Sequence, residues 1–469
     1  MIVARRALAV FLTLPLLALL LVGVTFGAAS ATVLSGDYLA DAMDDTDFYH
    51  RVHAEGLPAL VQQYVDHQEE RLPDNLQGMN LPRDPRSVAR LTEVLQTMFP
   101  ETLVQQQSDE FLREFVPWIT GRRGAFEWQV SLHDPLLATF APRGTEPPLF
   151  QAAWLDLDMS HRLLEGLSAR QAEQRAQPGA APPEEPSILD QLGQDLPAAE
   201  AWTDDALFEV IDSMVPYLAG QAEDFNIHID FTPYPQLAEP LAGMLRSDEA
   251  TLLAEGWRFD SAELRRKLQE SDNVAVNDPE QSIAIFRPGG TTFTSDDFVE
   301  RVEAQRQERI AAGEDDTGPT LAEVRTALRV VRLAGSWLPI ALALLLAVAI
   351  GFLGGHDRRT RLLWGAGALA VVAAITLGAT STVYAATIED RVDTWAAEER
   401  IAEDSALPVA LRGPVLDLSV EVTHGISAAM TWRAAAWLVL GLLVLALVVA
   451  WPRLRPAPTS TAPRAPQKA

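Results

Sequence analysis

"SWLPIALALLLAVAIGFLGGHDRRTRLLWGAGALAVVAAITLGATSTVYAA", residues 336–386, is two charge-free apolar runs joined by one short basic turn. A helix crosses the roughly 30 Å of hydrocarbon in a bilayer with about 20 apolar residues, and each run is long enough to do so. The quoted stretch therefore predicts a transmembrane hairpin. Two further runs of the same kind flank it, Ala7 to about Phe26 and Ala434 to Trp451. The resulting expectation is a multi-pass membrane protein with four transmembrane helices. Its main polar part is an α-rich (α+β) extracytoplasmic domain with a few short strands.

The expected order along the chain comes from these runs. Residues 1–31 are an N-terminal transmembrane helix or a signal peptide. Arg5 and Arg6 supply a positive start and Ala29-Ser30-Ala31 a small-residue cleavage signal, while the apolar run is long enough to be retained as a span. Residues 32–318 form the polar domain and 319–335 a juxtamembrane helix. Spans at 336–355 and 362–386 enclose a loop at 356–361. Residues 387–433 are a second polar segment, 434–451 the last span, and 452–469 a Pro/Ala-rich tail.

Charge near the span ends orients the whole. Arg5 and Arg6, then Arg358, Arg359 and Arg361, then Arg453, Arg455, Arg464 and Lys468 all fall on one predicted side. By the positive-inside tendency that side is the cytoplasm. The plasma membrane is the expected location, with the C-terminus cytoplasmic. The chain's formal charge of −27 is then concentrated in the exported parts. Such acidity disfavours nucleic acid as a partner, because phosphate needs positive charge opposite it. The expected partners are the lipid bilayer and another membrane or envelope protein, with a homo-oligomer also allowed. Arg325, Arg329 and Arg332 share a helical face just outside the second span and are placed to meet anionic headgroups.

Within the polar domain the local pattern is mostly helical. Ser35 can cap a helix through Tyr38, Leu39 and Ala42, and Thr46 a continuation bearing Phe48, Tyr49 and Val52. Gly56-Leu57-Pro58 should break that continuation, with Pro58 opening the next helix. Asp84 and Pro85 start another, Phe111 to Ile119 a third that ends at Gly121, and Thr203 one through Leu218. "GAFEWQVSL" (124–132), "NIHIDF" (226–231) and "SIAIFRPGG" (282–290) read as strands, and Thr294 or Ser295 as the cap of a charged helix to about Ala312. "RAQPGAAPPEEPS" (175–187) reads as a flexible loop. Leu321, Val324, Leu328 and Val331 make a short seam on the juxtamembrane helix. In "GPVLDLSVEVTHG" (413–425) both a strand alternation and a helical stripe from Pro414 are present. Either could pack against the large domain near the membrane surface.

The tempting chemistry lies in "DDTDFYHRVH", residues 44–53. Asp47, His50 and His53 recur every third residue and can share a helical face. Two imidazoles and a carboxylate are a weak candidate metal set that needs another ligand from elsewhere. His67 joins that face only if the helix is unbroken. The plainer reading is a solvated helix with its acids near the start, where the helix dipole favours them. His228 and Asp230 share a strand face, "DLD" (156–158) is too short to specify a metal site, and His133-Asp134-Pro135 reads as a turn. Nucleotide-loop, zinc-protease and serine-nucleophile signatures are missing, so no catalytic residue and no cofactor is expected. With no cysteine, thiolate chemistry and disulfides are excluded. The spans carry no charge, unlike the ion paths of pumps. The small residues Gly365, Gly367, Ala370, Ala374 and Gly378 suit close packing, among the spans or with a partner subunit.

One span, a large exported domain and three more spans resembles the order of MacB/FtsX-type permeases, which couple membrane movement to a cytoplasmic ATPase. The likeness is of topology, and "HDRRTR" (356–361) holds no coupling helix. "LSGDYLADAMDDTDFYHRV" (34–52) and the 336–386 hairpin also resemble parts of uncharacterised bacterial membrane proteins with an N-terminal span. That resemblance implies no activity and supplies no functional residues. The function expected is a non-enzymatic binding, sensing or envelope-assembly module. The alternatives are an accessory or permease-like transport subunit and, third, a metal-dependent hydrolase using His50 and His53.

Overall fold

The computed structural model describes residues 2–67, 81–142, 144–176, 186–245, 248–270, 279–311, 318–401 and 409–454. They are mostly helical, with four short strands. Four helical stretches are long and apolar enough to cross a membrane: Arg5–Ala31, Leu321–Gly354, Arg358–Arg400 and Leu411–Ala450. The first stretch comprises α1 (Ile2–Phe11) and α2 (Thr13–Ala31).

After α2, Ser35 caps α3 (Gly36–Asp45) by accepting from the Tyr38 N–H. Thr46 caps no helix. Its hydroxyl donates back to the Ala42 carbonyl, and Asp47, in the left-handed region at φ 50°, turns the chain into α4 (Phe48–Arg51). Aspartate is one of the few residues that tolerate this conformation. Gly56-Leu57-Pro58 does not break the helix either. A π turn over Val52–Gly56, closed by the Leu57 N–H on the Val52 carbonyl, carries the chain past Pro58 into α5 (Leu57–Asp66). Widening the turn accommodates a residue that has no N–H to give. Asp84 caps α6 (Pro85–Met98) as expected, accepting from Arg86 and Ser87 N–H at 3.1 Å each. Helix α7 (Glu101–Ile119) ends before Gly121, whose φ of 71° suits glycine.

Strand β1 (Glu127–Val130) leaves this helical layer and pairs antiparallel with β4 (Thr291–Thr294), about 160 residues on, in the register Glu127 opposite Thr294. The lobe between them begins with α8 (His133–Phe140), α9 (Leu149–Asp156) and α10 (Met159–Ala176). It continues through α11 (Ile188–Leu192) and α12 (Leu196–Leu218) to β2 (Asn226–Ile229). Then come α13 (Ala238–Leu245), α14 (Glu249–Glu255), β3 (Trp257–Asp260), α15 (Ser261–Glu270) and α16 (Pro279–Ala284). Strand β2 pairs antiparallel with β3.

Several expectations change here. "SIAIF" is not a strand, because Pro279 starts α16 and Ile283 is buried from a helix. The true strand is "TTFT", immediately before α17 (Ser295–Ala311). Thr203 lies inside α12, its hydroxyl donating to Ala199 O, and His133-Asp134-Pro135 is the first turn of α8. The predicted 175–187 loop falls largely on residues 177–185, outside the described residues; α10 reaches Ala176 and Ser187 caps α11.

Aromatic rings fuse these layers. Phe115, Trp118, Phe126 and Phe298 stack edge-to-face or tilted with centroids 5.0–6.3 Å apart, tying α7, β1 and α17 together. Such pairs add roughly 0.5–1.5 kcal/mol each beyond the area they bury.

Helix α18 (Leu321–Ala334), with the Thr320/Glu323 capping box, turns at Gly335 into α19 (Trp337–Gly354). Arg325 does not lie free for headgroups: its guanidinium sits 4.5 Å above the Trp118 ring and donates to the Trp118 carbonyl at the end of α7. Cation–π attraction and the negative end of the helix dipole both favour that position. Arg329 lies against Gly121. After the loop 355–357, α20 (Arg358–Gly378) runs through a π segment (Ala379–Glu389) into α21 (Asp390–Ile401). The last helix, α22 (Val409–Leu454), has 46 residues. At 1.5 Å per residue it is about 69 Å long, twice the thickness of a bilayer core. Residues 413–425 are thus helical, and the helix begins before Pro414.

The apolar helices pack through small residues. A Cβ on Gly365 would lie 2.7 Å from Ala347 O, and one on Gly441 would lie 2.9 Å from Ala370 N. Gly367 and Gly378 meet nothing within 4 Å. The small-residue pattern is therefore divided: Gly365 and Ala370 serve contacts among these helices, whereas Gly367 faces outward.

Candidate functional site

The residues of "DDTDFYHRVH" sit where the polar domain meets the extensions of α21 and α22. Three of its polar side chains reach α7, and the others go elsewhere. Asp44 accepts from Gln105 of α7 at 2.8 Å, and the buried Tyr49 hydroxyl donates to Asp109 at 2.9 Å. Burial and the Asp109 carboxylate together push the Tyr49 phenol well above its ordinary range, so it stays protonated and donating. His50 is 3.1 Å from Glu101 and largely exposed, with 65% of its side chain accessible. His53 is half-buried and lies 3.4 Å from the Gln96 carbonyl of α6, while Gln96 Nε2 donates to the His53 carbonyl at 2.9 Å. Asp47 is exposed at its turn.

The structure thus sends Asp47, His50 and His53 in three directions. The helix does run on past Gly56, but His67 closes it with a bond from its ring to Gln63 O. Among the described residues, no three His, Asp, Glu or Cys side chains are grouped to hold a metal ion.

Between His50 and His53 lies the side chain that sequence reasoning passed over. Arg51 pairs with Asp417 of α22, and the same carboxylate pairs with Arg400 of α21. Asp417 is only 29% exposed, and Gly413, one turn away, lets the Arg51 guanidinium pass close by. A second lock lies two turns along α22, where Gly425 receives the Tyr38 hydroxyl of α3; a Cβ there would overlap that oxygen. Together these contacts clamp α3 and α4 onto both long helices. Glycine at 413 and 425, about three and a third turns apart on one helix, was the available signal.

Beside the clamp, the exposed face of α7 forms a groove of about 500 Å³ with Thr102, Gln106, Asp109, Glu110, Arg113 and Glu114, walled by Glu127 of β1. Arg113 is 3.4 Å from Asp37. The groove is rich in hydrogen-bonding groups and net negative, suited to a polar or cationic surface.

Elsewhere in the polar domain a titratable network surrounds His161. His161 Nδ1 lies 2.6 Å from Glu200 and its Nε2 3.2 Å from Glu165. Next to it, the Trp154 indole N–H and the Ser160 hydroxyl both donate to Asp204. The hydrogen bond to Glu200 raises the His161 pKa, more than burial lowers it, so the imidazolium is favoured in the fold. A raised folded pKa stabilises fully below the unfolded value of about 6.5 and loses that contribution as pH rises through the folded one. His161→Gln should therefore lower the melting temperature at about pH 5.5 more than at about pH 8.5, by roughly one or two degrees. Equal losses at both pH values would show that the imidazole is not charged in the fold.

The remaining marked residues are accounted for locally. Asp230 accepts from the Thr232 N–H and hydroxyl, which hold it below the usual carboxylate range, and it makes no hydrogen bond to His228. Asp156 pairs with Arg90 at 3.2 Å, and Asp158 takes a left-handed turn at φ 53° before α10. Neither arrangement sets up a base beside a nucleophile.

No protein-family model matches the chain, and neither a curated protein nor a solved structure is significantly similar to it.

Proposed function

We propose that the protein is a non-enzymatic binding, sensing or envelope-assembly module of the plasma membrane, with its acidic domain outside the cytoplasm. The observation that carries this reading is the clamp of Arg51 and Arg400 on Asp417. It joins the polar domain to two helices that continue unbroken into the apolar bundle. A domain that only needed tethering would manage with a flexible linker. This one is braced at α3, α4 and α18 against elements that enter the bilayer, so load or ligand on the α7 groove is passed to the spans. The basic flanks around Arg5 and Arg358 support the orientation, with the C-terminus cytoplasmic.

The partner on this reading is another envelope component contacting the α7 groove. A photo-crosslinking residue at Gln106, installed in intact cells, should give one recurring adduct of defined mass. The same residue at Glu146, away from the groove, should give none. Repeated absence of an adduct at Gln106, or equal labelling at both positions, would count decisively against a binding module. A permease-like subunit would instead bring down an ATPase through its cytoplasmic loops, and the loop between α19 and α20 offers only residues 355–357.

A further inference from the structure

Helix α20 is packed by α19 on one side and α22 on the other, and the face between them is an open groove of about 480 Å³. Its walls are apolar, among them Ala347, Gly351, Leu362 and Leu440. Along α19 it runs from Leu344 to Phe352, about 12 Å at 1.5 Å per residue. That is close to the depth of one leaflet of a ~30 Å hydrocarbon core. Only one end of the groove is charged, and it is charged with one sign. Arg358 and Arg361 line that end. The Arg361 guanidinium lies 4.7 Å over the Phe352 ring, and its buried Nε has no hydrogen-bond partner. Arg5 of α1 donates to the carbonyl of the same Phe352 at 2.9 Å. The carboxylate nearest in sequence, Asp357, is turned onto the first turn of α20, where the Thr360 hydroxyl donates to it. Among the described residues none of these three arginines forms an ion pair.

An apolar trough one leaflet deep, closed at its polar end by unpaired guanidinium groups, has the shape and charge of a phospholipid turned inside out. We propose that this groove holds an acyl chain of an anionic phospholipid, with the phosphate bound by Arg358 and Arg361. Arginine suits the role because its planar fork matches phosphate oxygens. The proposal rests on the bundle lying in a bilayer, as the proposed function requires.

The test is native mass spectrometry of the full chain, released from nanodiscs containing equal phosphatidylglycerol and phosphatidylcholine. The wild type should retain phosphatidylglycerol over phosphatidylcholine by roughly tenfold, in line with the attraction of two arginines near a membrane surface. The double variant Arg358→Gln/Arg361→Gln should lose that preference. Val348→Trp, which fills the trough from its exposed wall, should lower retention of both lipids. Arg332→Gln, at the opposite end of the same helical run, should change neither. Equal retention of the two lipids by the wild type would overturn the proposal, as would a preference that survives the double substitution. Retention unchanged by Val348→Trp, or displacement of the lipid by inorganic phosphate alone, would remove the acyl-chain part. Each variant is first checked for incorporation into nanodiscs. Failure of the wild type to incorporate would refute the membrane reading itself and so is distinguishable from failure of the lipid site.

Discussion

Gly36→Ala is expected to lower the melting temperature of the full-length protein by about 1–3 °C. Gly36 is the first residue of α3 and is buried where that helix crosses α7. A methyl group there would overlap the Leu112 carbonyl oxygen and lie 2.9 Å from the Arg113 Cα. Both are backbone atoms inside a helix, so no rotamer change relieves the overlap, and the helices must separate. Overpacking of this kind costs about 1–3 kcal/mol, and with an unfolding entropy of roughly 2.1 cal/mol/K per residue a chain of this size loses about 1 °C per kcal/mol. The damage would spread along α3, because Tyr38 is seated in the notch of Gly425 and Asp44 is tied to Gln105. Gly367→Ala is the control. Its added methyl meets nothing within 4 Å, and alanine is the better helix former, so its melting temperature should hold or rise slightly. An unperturbed Gly36→Ala protein would mean that α3 and α7 do not approach this closely.

Removing the carboxylate of Asp417 should produce the second large effect, and a more local one. Asp417→Ala leaves Arg400, at 47% exposure, facing Arg51, at 26%, without the carboxylate between them, and Arg51 keeps only its longer contact to Glu55 at 3.8 Å. Partial exposure moderates the loss relative to a fully buried pair, giving roughly 1–3 kcal/mol. The expected result is amide exchange about tenfold or more faster across residues 390–401 and 409–425, with the apolar bundle unaffected. Asp417→Asn keeps the volume and loses the charge, so it should fall nearer to alanine than to wild type. In the double variant Arg51→Gln/Asp417→Ala the second substitution should cost less than it does alone, since one unpaired cation is gone. Strict additivity, or exchange that does not change at all, would show that the three side chains do not share an interaction. Because this clamp supports the proposed function, the same variants should weaken the Gln106 adduct only if the groove depends on the bracing of α3 and α4.

The four apolar helices were legible because hydrocarbon imposes a length and a composition that one sequence displays directly. Of the predicted spans, 336–355 matches α19 within a residue at each end, and 434–451 lies wholly inside α22. The caps at Ser35 and Asp84 were equally plain, since a cap is a contact over two or three residues. Strands were harder. All four strands are four residues long; "GAFEWQVSL" and "NIHIDF" were recognisable because their alternation continues past the paired residues, whereas that of "TTFT" and "WRFD" stops where α17 and α15 begin, too short a run for a period to emerge. The misreading of "SIAIF" has the same origin, for an apolar run of that length fits a buried helical turn as well as a strand.

The sequence by itself determined where the chain is apolar enough to enter a membrane, which ends of the apolar runs carry basic residues, and that the polar parts are largely helical. Each of these properties is local or compositional. Only the tertiary structure decided what "DDTDFYHRVH" does. Arg51 meets Asp417 across 366 residues, Tyr49 meets Asp109 across 60, and β1 finds β4 across about 160. Pairings at such separations depend on how helices cross, and crossings are set by where glycines such as Gly36 and Gly425 admit a close approach. The spacing of two histidines on one helix drew attention to a metal; the fold uses the arginine between them to hold two halves of the molecule together.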